Sequence, residues 1–200
     1  RNPPGPFTTS TLQQVSSGRL GFGASRTMQI AQRLYQGIEI EGETIGLITY
    51  IRTDGTNLSK DAVSDFRDYI NNEYGKEYLP DSSINYSGKK AKNAQEAHEA
   101  IRPTNIIRSP NNIKKYLSPD QLKLYDLIWS RALSSQMESA KFDRNTITIT
   151  SKDNETICKV SGSVIKFDGF LKLYKDNKKD EDQKILPEVK NGPVNIEALL

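Results

Sequence analysis

Cysteine and histidine are almost missing from this chain: Cys158 is the single thiol among 200 residues and His98 the single imidazole. A lone thiol excludes an intramolecular disulfide, and the two side chains together are too few for a His/Cys zinc site. A reducing cytoplasm is therefore the expected setting. Long hydrophobic runs are missing as well. No apolar stretch approaches the roughly 20 residues that cross a bilayer, and the opening Arg1-Asn-Pro-Pro-Gly-Pro-Phe7 has none of the apolar core of a secretory signal. A membrane role is set aside on these grounds. The chain also lacks an initiator methionine, so it reads as a piece of a longer protein. Its charge is nearly balanced, 28 Lys and Arg against 25 Asp and Glu, and the net +3 leans only weakly toward an anionic partner.

What is present is enough apolar material, 35% of residues, for one sizeable core or two small ones. Thr9 or Ser10 can cap a short helix to position 17, and Ser25 a second one through about position 36, with Met28, Ala31, Leu34 and Tyr35 on one side. Positions 38–44 read as a loop or hairpin arm, and the short β-branched run 45–51 as a buried strand. Ser59 caps a helix over 60–74 with an apolar stripe at Val63, Phe66, Tyr69 and Ile70. Asn93-Ala-Gln-Glu96 has the form of a capping box, opening a helix that Pro103 must stop. Ser118-Pro-Asp-Gln121 caps another, running to about position 140. Beyond Phe142 the period changes to two, with strands expected at 146–150, 157–164 and 167–174, before a charged run over 175–184. The fold class is α+β: a mainly helical block over roughly 10–137, then an antiparallel β block. There is no internal repeat.

Three groups of residues carry chemistry. In "ITYIRTDGTNLS" (48–59) a strand would turn Tyr50 and Arg52 the same way. A phenol with a pKa near 10 is ionised in roughly one molecule in a thousand at neutral pH. A tyrosine that attacks therefore needs a base or a cation beside it, and Arg52 is such a cation with a fork that also fits a phosphate. Thr53, Asp54, Thr56 and Asn57 follow as hydrogen-bonding or turn residues. The pair by itself equally describes a packed tyrosine whose neighbour snorkels to solvent. In "NAQEAHEAIRPT" (93–104), His98 and Arg102 stand four apart, on one face of a helix, where an imidazole can move a proton or contact phosphate. A surface histidine with an arginine near a helix end is the plain alternative. Lys89, Lys90 and Lys92, with Arg19, Arg26, Arg33 and Arg131, either meet phosphates or form a solvated surface.

Taken in order, "PFTTSTLQQ" (6–14), "RTMQIAQRLYQG" (26–37), "GLITYIRTDGTNLS" (46–59), "KAKNAQEAHEAIRPT" (90–104), "LYDLIWSRALSSQM" (124–137) and "FDGFLKLY" (167–174) resemble the bacterial type IA DNA topoisomerases, in their topoisomerase I branch. The resemblance implies that Tyr50 is the nucleophile that forms a 5′-phosphotyrosyl link in single-stranded DNA, relaxing negatively supercoiled DNA without ATP. It implies that Arg52 sits at the scissile phosphate and that His98 is an active-site histidine. Arg102 would contact DNA phosphate, with Thr53 and Asp54 beside the strand, and Gln32 would lie near the DNA path or the domain hinge. It further implies a helix-turn-helix-like catalytic domain over 10–137 and parts of a β arch over 1–9 and 138–200, with hinges near 7–10 and 136–142. The family usually has serine where this chain has Gly55. Its magnesium-binding acidic domain precedes the matched region, so Mg2+ is expected in the whole enzyme with ligands outside this chain, and the chain alone is expected to be inactive. No protein partner is indicated, and a nucleoid location follows from the substrate. The other readings are a non-catalytic DNA-binding module and a topoisomerase III-type decatenase.

Overall fold

Thr8 starts the helical part of the chain. Its side chain accepts from the Thr11 N–H, and Thr11 Oγ1 accepts in return from the Thr8 N–H at 2.9 Å, a reciprocal cap. The computed structural model, which describes residues 1–86, 99–174 and Gly192, runs this helix, α1, over Thr9–Leu20 and ends it at Gly21 with φ 68°. The cap thus lies one or two residues earlier than expected and the end three later. Helix α2 (Ala24–Gln36) starts from Gly23 without a side-chain cap, so Ser25 falls inside its first turn. A hairpin follows, β1 (Ile38–Ile40) and β2 (Glu43–Ile45). Its two-residue turn, Glu41 and Gly42, takes positive φ at both positions, which matches the twist of the strands.

Helix α3 (Lys60–Glu73) begins at Ser59, whose side chain accepts from the Ala62 N–H, and buries Ala62, Phe66 and Ile70. A short α4 (Pro110–Ile113) precedes α5 (Pro119–Ser134), which has the Ser118/Gln121 capping box and Pro119 in its first turn. Helix α5 buries Leu124, Tyr125, Leu127, Ile128, Trp129, Ala132 and Leu133, so it is surrounded, with α1 and α2 packed on it. Both of its polar aromatic tips are satisfied: Tyr125 Oη donates to Arg108 O at 2.8 Å and Trp129 Nε1 to Ile106 O at 2.9 Å. The helix stops six residues short of the expected end, because β3 (Lys141–Thr150) already begins its pairing with β4 (Ile157–Phe167) at Lys141.

Two expected strands and one expected helix are corrected. Positions 45–51 form no strand beyond the end of β2; Ile48 makes an isolated antiparallel bridge to Pro103. Residues 99–103 are extended, because Ile101 and Pro103 pair with Phe7 and Ile48. Positions 169–172 form a 3-10 turn, since Phe170, Leu171 and Tyr174 enter the core at helical, not alternating, spacing. The fold is α+β, as expected. His98, Lys89, Lys90, Lys92, the 93–96 capping box and the charged run 175–184 lie outside the described residues.

Gly46 is required by close packing. A Cβ there would meet the carbonyl oxygen of Tyr35, in the last turn of α2, at 2.8 Å. Gly46→Ala is expected to lower stability by about 1–3 kcal/mol, read as a lower urea midpoint at unchanged slope. An unchanged midpoint would show that the end of α2 yields freely.

Candidate functional site

The segment that carries Tyr50 has no regular strand, yet its side chains alternate. Ile51, Thr53 and Gly55 are buried while Tyr50, Arg52 and Asp54 are exposed. Period-two facing belongs to extended backbone itself, so Tyr50 and Arg52 share the outer side as the spacing predicted. Three neighbours hold the segment. At the start, Leu47 N–H donates to Leu34 O in α2 at 2.8 Å. In the middle, Thr49 N–H donates to Arg102 O at 2.9 Å, and Thr49 Oγ1 accepts from Arg102 N–H and donates to Ala100 O. At the end, Thr9 N–H donates to Thr53 O, Thr53 N–H to Thr9 Oγ1, and Thr9 Oγ1 to Ile51 O at 2.7 Å. Leu47, Ile48 and Ile51 anchor it in the core at 2% exposure or less. The Tyr50 ring nevertheless stands 43% exposed.

The other predicted site residues fall in different places. Arg52 and Asp54 line an open polar cleft of about 430 Å³ with Thr8, Thr9, Ser10 and Thr53, at the start of α1. The Thr53 residue is only 6% exposed; its Oγ1 accepts from the Gly55 N–H at 2.9 Å, which ties the turn at Gly55. Gln32 lies on α2 three residues before Tyr35, hence on nearly the same side of that helix. A larger cleft, about 640 Å³, lies between the start of α3 and residues 81–86; neither Tyr50 nor Arg52 lines it, so size does not mark the chemistry here. Two arginines of the basic set have partners within the chain: Arg26 pairs with Asp120 at the surface, and Arg131 donates to Gly5 O and the Tyr174 hydroxyl.

Arg102 is not a free fork. Its Nε and Nη2 hold both carboxylate oxygens of Glu99, at 2.6 and 3.0 Å, and Nη1 donates to Pro103 O. Glu99 Oε1 also accepts from the Ser59 N–H at 2.7 Å, at the cap of α3. A phosphate at Arg102 has to compete with this carboxylate. Partial burial pushes the Glu99 carboxyl up, but the hydrogen bonds from Arg102 and Ser59 and the arginine charge outweigh it, so its pKa lies below the ordinary value. Among the described residues no group of three or more His, Cys, Asp or Glu could hold a metal ion.

Two residues of the site carried no sequence signal of their role. Helical spacing places Tyr35 only with Met28, Ala31 and Leu34 on one side of α2; it is 38% exposed and its ring meets Tyr50 edge-on, centroids 5.6 Å apart at 63°. Glu99 sat in a stretch expected to be helical. Its i,i+3 spacing to Arg102 was visible, but its reach to Ser59 depends on the chain fold.

The sequence profile described as DNA topoisomerase matches residues 1–199. The chain is 51% identical over 193 residues, 95% of its length, to DNA topoisomerase 1 of Rickettsia typhi, covering 25% of that protein. It is 47% identical over 197 residues to DNA topoisomerase 1 of Helicobacter pylori, 98% of this chain and 26% of that one. The structure of full-length topoisomerase I from Thermotoga maritima superposes with a TM-score of 0.79 at 39% identity, over 94% of this chain and 29% of that one. The chain thus spans about a quarter of the length of the curated relatives it matches.

The Glu99–Arg102–Ser59 bracket has a testable pH signature. A lowered pKa in the folded state contributes stability above the unfolded carboxylate pKa, lost as pH falls through the folded one. Glu99→Gln should therefore lower the urea midpoint at pH 7 and converge with the parent under acid. A gap that persists in acid would reject the ionised bracket.

Proposed function

This chain belongs to the DNA topoisomerase family, and on that premise we propose that it carries the strand-cleaving tyrosine of a type IA enzyme. One observation carries the reading: Tyr50 is exposed on a segment whose backbone is clamped on three sides, with the exposed guanidinium of Arg52 two residues on, at a polar cleft. The Tyr50 oxygen attacks a phosphodiester of a single strand, giving up its proton. The P–O3′ bond breaks, the 3′-oxygen leaves and takes up a proton, and the 5′-phosphate stays on the tyrosine. A second strand passes, and the 3′-hydroxyl attacks the phosphotyrosine in return. One phosphoester replaces another of similar energy, so no ATP is consumed, and the torsional strain of negatively supercoiled DNA drives the net change.

Arg52 supplies positive charge where the pentavalent phosphate gains negative charge. Asp54 lies on the same exposed edge, beside the strand. Thr53 acts from beneath, tying the segment to α1. Gln32 and Arg102 are assigned to the DNA path, with Arg102 meeting phosphate only by exchange with Glu99. His98 is assigned to proton transfer or phosphate contact from outside the described residues. Magnesium is assigned to ligands beyond this chain, where it would hold phosphate oxygens and ease proton transfer. We accordingly expect the chain alone to be inactive in relaxation. The similarity to DNA topoisomerase 1 of Rickettsia typhi and Helicobacter pylori favours a topoisomerase I over a decatenase.

The test is made in the longer protein that contains this segment. Tyr50→Phe should abolish the covalent adduct with a labelled single strand while binding persists, and Arg52→Ala should slow cleavage on the order of 100-fold. Cleavage that survives Tyr50→Phe returns the segment to a DNA-binding module without a covalent step.

A further inference from the structure

Tyr35 has no part in the reaction just described, and its ring is not needed to fill the core. It is 38% exposed, and it meets a second exposed ring, that of Tyr50. We propose that Tyr35 is a positioning residue for the nucleophile: its ring is a fixed wall that narrows the orientations open to the Tyr50 side chain and holds its hydroxyl toward the strand. The inference rests on the assignment of Tyr50 as nucleophile.

The geometry suits this task. Tyr50 lies just before the bend at positions 51 and 52 and stands 43% exposed, so its side chain reaches solvent and its orientation depends on the neighbours at the surface. In-line attack needs the oxygen within roughly 3–3.5 Å of phosphorus, which a swinging phenol meets only a fraction of the time. The ring contact, 5.6 Å between centroids at 63°, lies in the favourable edge-on range. The wall is also rigid with respect to the nucleophile's own backbone. Tyr35 occupies the last turn of α2, Leu47 N–H is bonded to the carbonyl of the residue before it, and the backbone at Gly46 lies against the Tyr35 carbonyl. Both rings therefore rise from one docked seam, which fixes the separation of their backbones and leaves the ring contact itself to limit how the Tyr50 side chain turns. The ring carries the contact, so a phenylalanine should serve as well as a tyrosine.

The experiment uses the longer protein and a labelled single-stranded oligonucleotide, with cleavage followed in single turnover as a function of DNA concentration. Tyr35→Ala, and Tyr35→Leu as a variant that keeps bulk and helix propensity, should each slow cleavage at saturating DNA on the order of 10-fold. The half-saturating concentration and the melting temperature should stay as in the parent, and Tyr35→Phe should restore the rate to within about 2-fold. Parent-like cleavage by Tyr35→Ala and Tyr35→Leu overturns the proposal. So does a defect that disappears at saturating DNA, which would make Tyr35 a binding surface, or a Tyr35→Phe variant as slow as the alanine. Loss of folding in both the alanine and leucine variants also overturns it, as it would make the ring structural. Tyr50→Phe is run in parallel: if it still cleaves, the nucleophile assignment falls; if it is dead while Tyr35→Ala is normal, only this inference falls.

Discussion

The site depends on a backbone clamp. Residues 47–55 form no sheet, yet they exchange hydrogen bonds with the end of α2, with the extended run 99–104 and with the start of α1. Each such bond contributes roughly 0.5–1.5 kcal/mol net, and each fully buried aliphatic side chain roughly 1.5–3 kcal/mol. Leu47, Ile48 and Ile51 supply the second kind of anchor. An aromatic ring can therefore remain in solvent while the chain beneath it is fixed. A nucleophile has the same requirement: an accessible oxygen on a backbone that does not move.

The clamp explains features that look unrelated. The glycine at 46 lets α2 and the segment that carries Tyr50 touch backbone to backbone. The fork of Arg102 on Glu99, with Ser59 as a third partner, holds the 99–104 run against the cap of α3, so the middle of the clamp is fixed from behind. Thr104 closes the same seam, its N–H donating to Leu47 O and its hydroxyl to Gly46 O. Two cations of one neighbourhood thus do different work. Arg52 faces outward along an open cleft, whereas Arg102 is turned inward and neutralised.

Local code was legible and long-range pairing was not. Ser59 and Ser118 announced α3 and α5 because a cap and its first turn lie within four residues of one another. The strand at 45–51 and the helix through 103 failed for one shared reason. Ile48 and Pro103 choose each other across the fold, and no local pattern encodes that choice. Tyr50 and Arg52 still came out on one side, because alternation is a property of extended backbone whether or not a sheet forms. The meeting of Tyr35 with Tyr50 was not legible, because the two rings come from separate segments that only the chain fold brings together. Family membership was legible earliest, since six ordered motifs constrain far more than any one spacing does.

The first nine residues join the two parts of the fold. Arg1 and Ala140 exchange backbone hydrogen bonds at the root of the β3–β4 ribbon. Gly5 O then accepts from Arg131 Nε at 2.6 Å, Phe7 bridges to Ile101, and Thr9 closes on Thr53 in the clamp. The ribbon itself is two-stranded, with Ile149, Val160 and Val164 exposed on one face, and such ribbons are marginal alone. The clamp, by contrast, is tied on three sides. The route through residues 1–9 is short and contiguous, but contiguity carries a signal only where some element has two stable arrangements. Thr9, joined to Ile51 and Thr53 by four hydrogen bonds, is where residues 1–9 meet the segment that carries Tyr50.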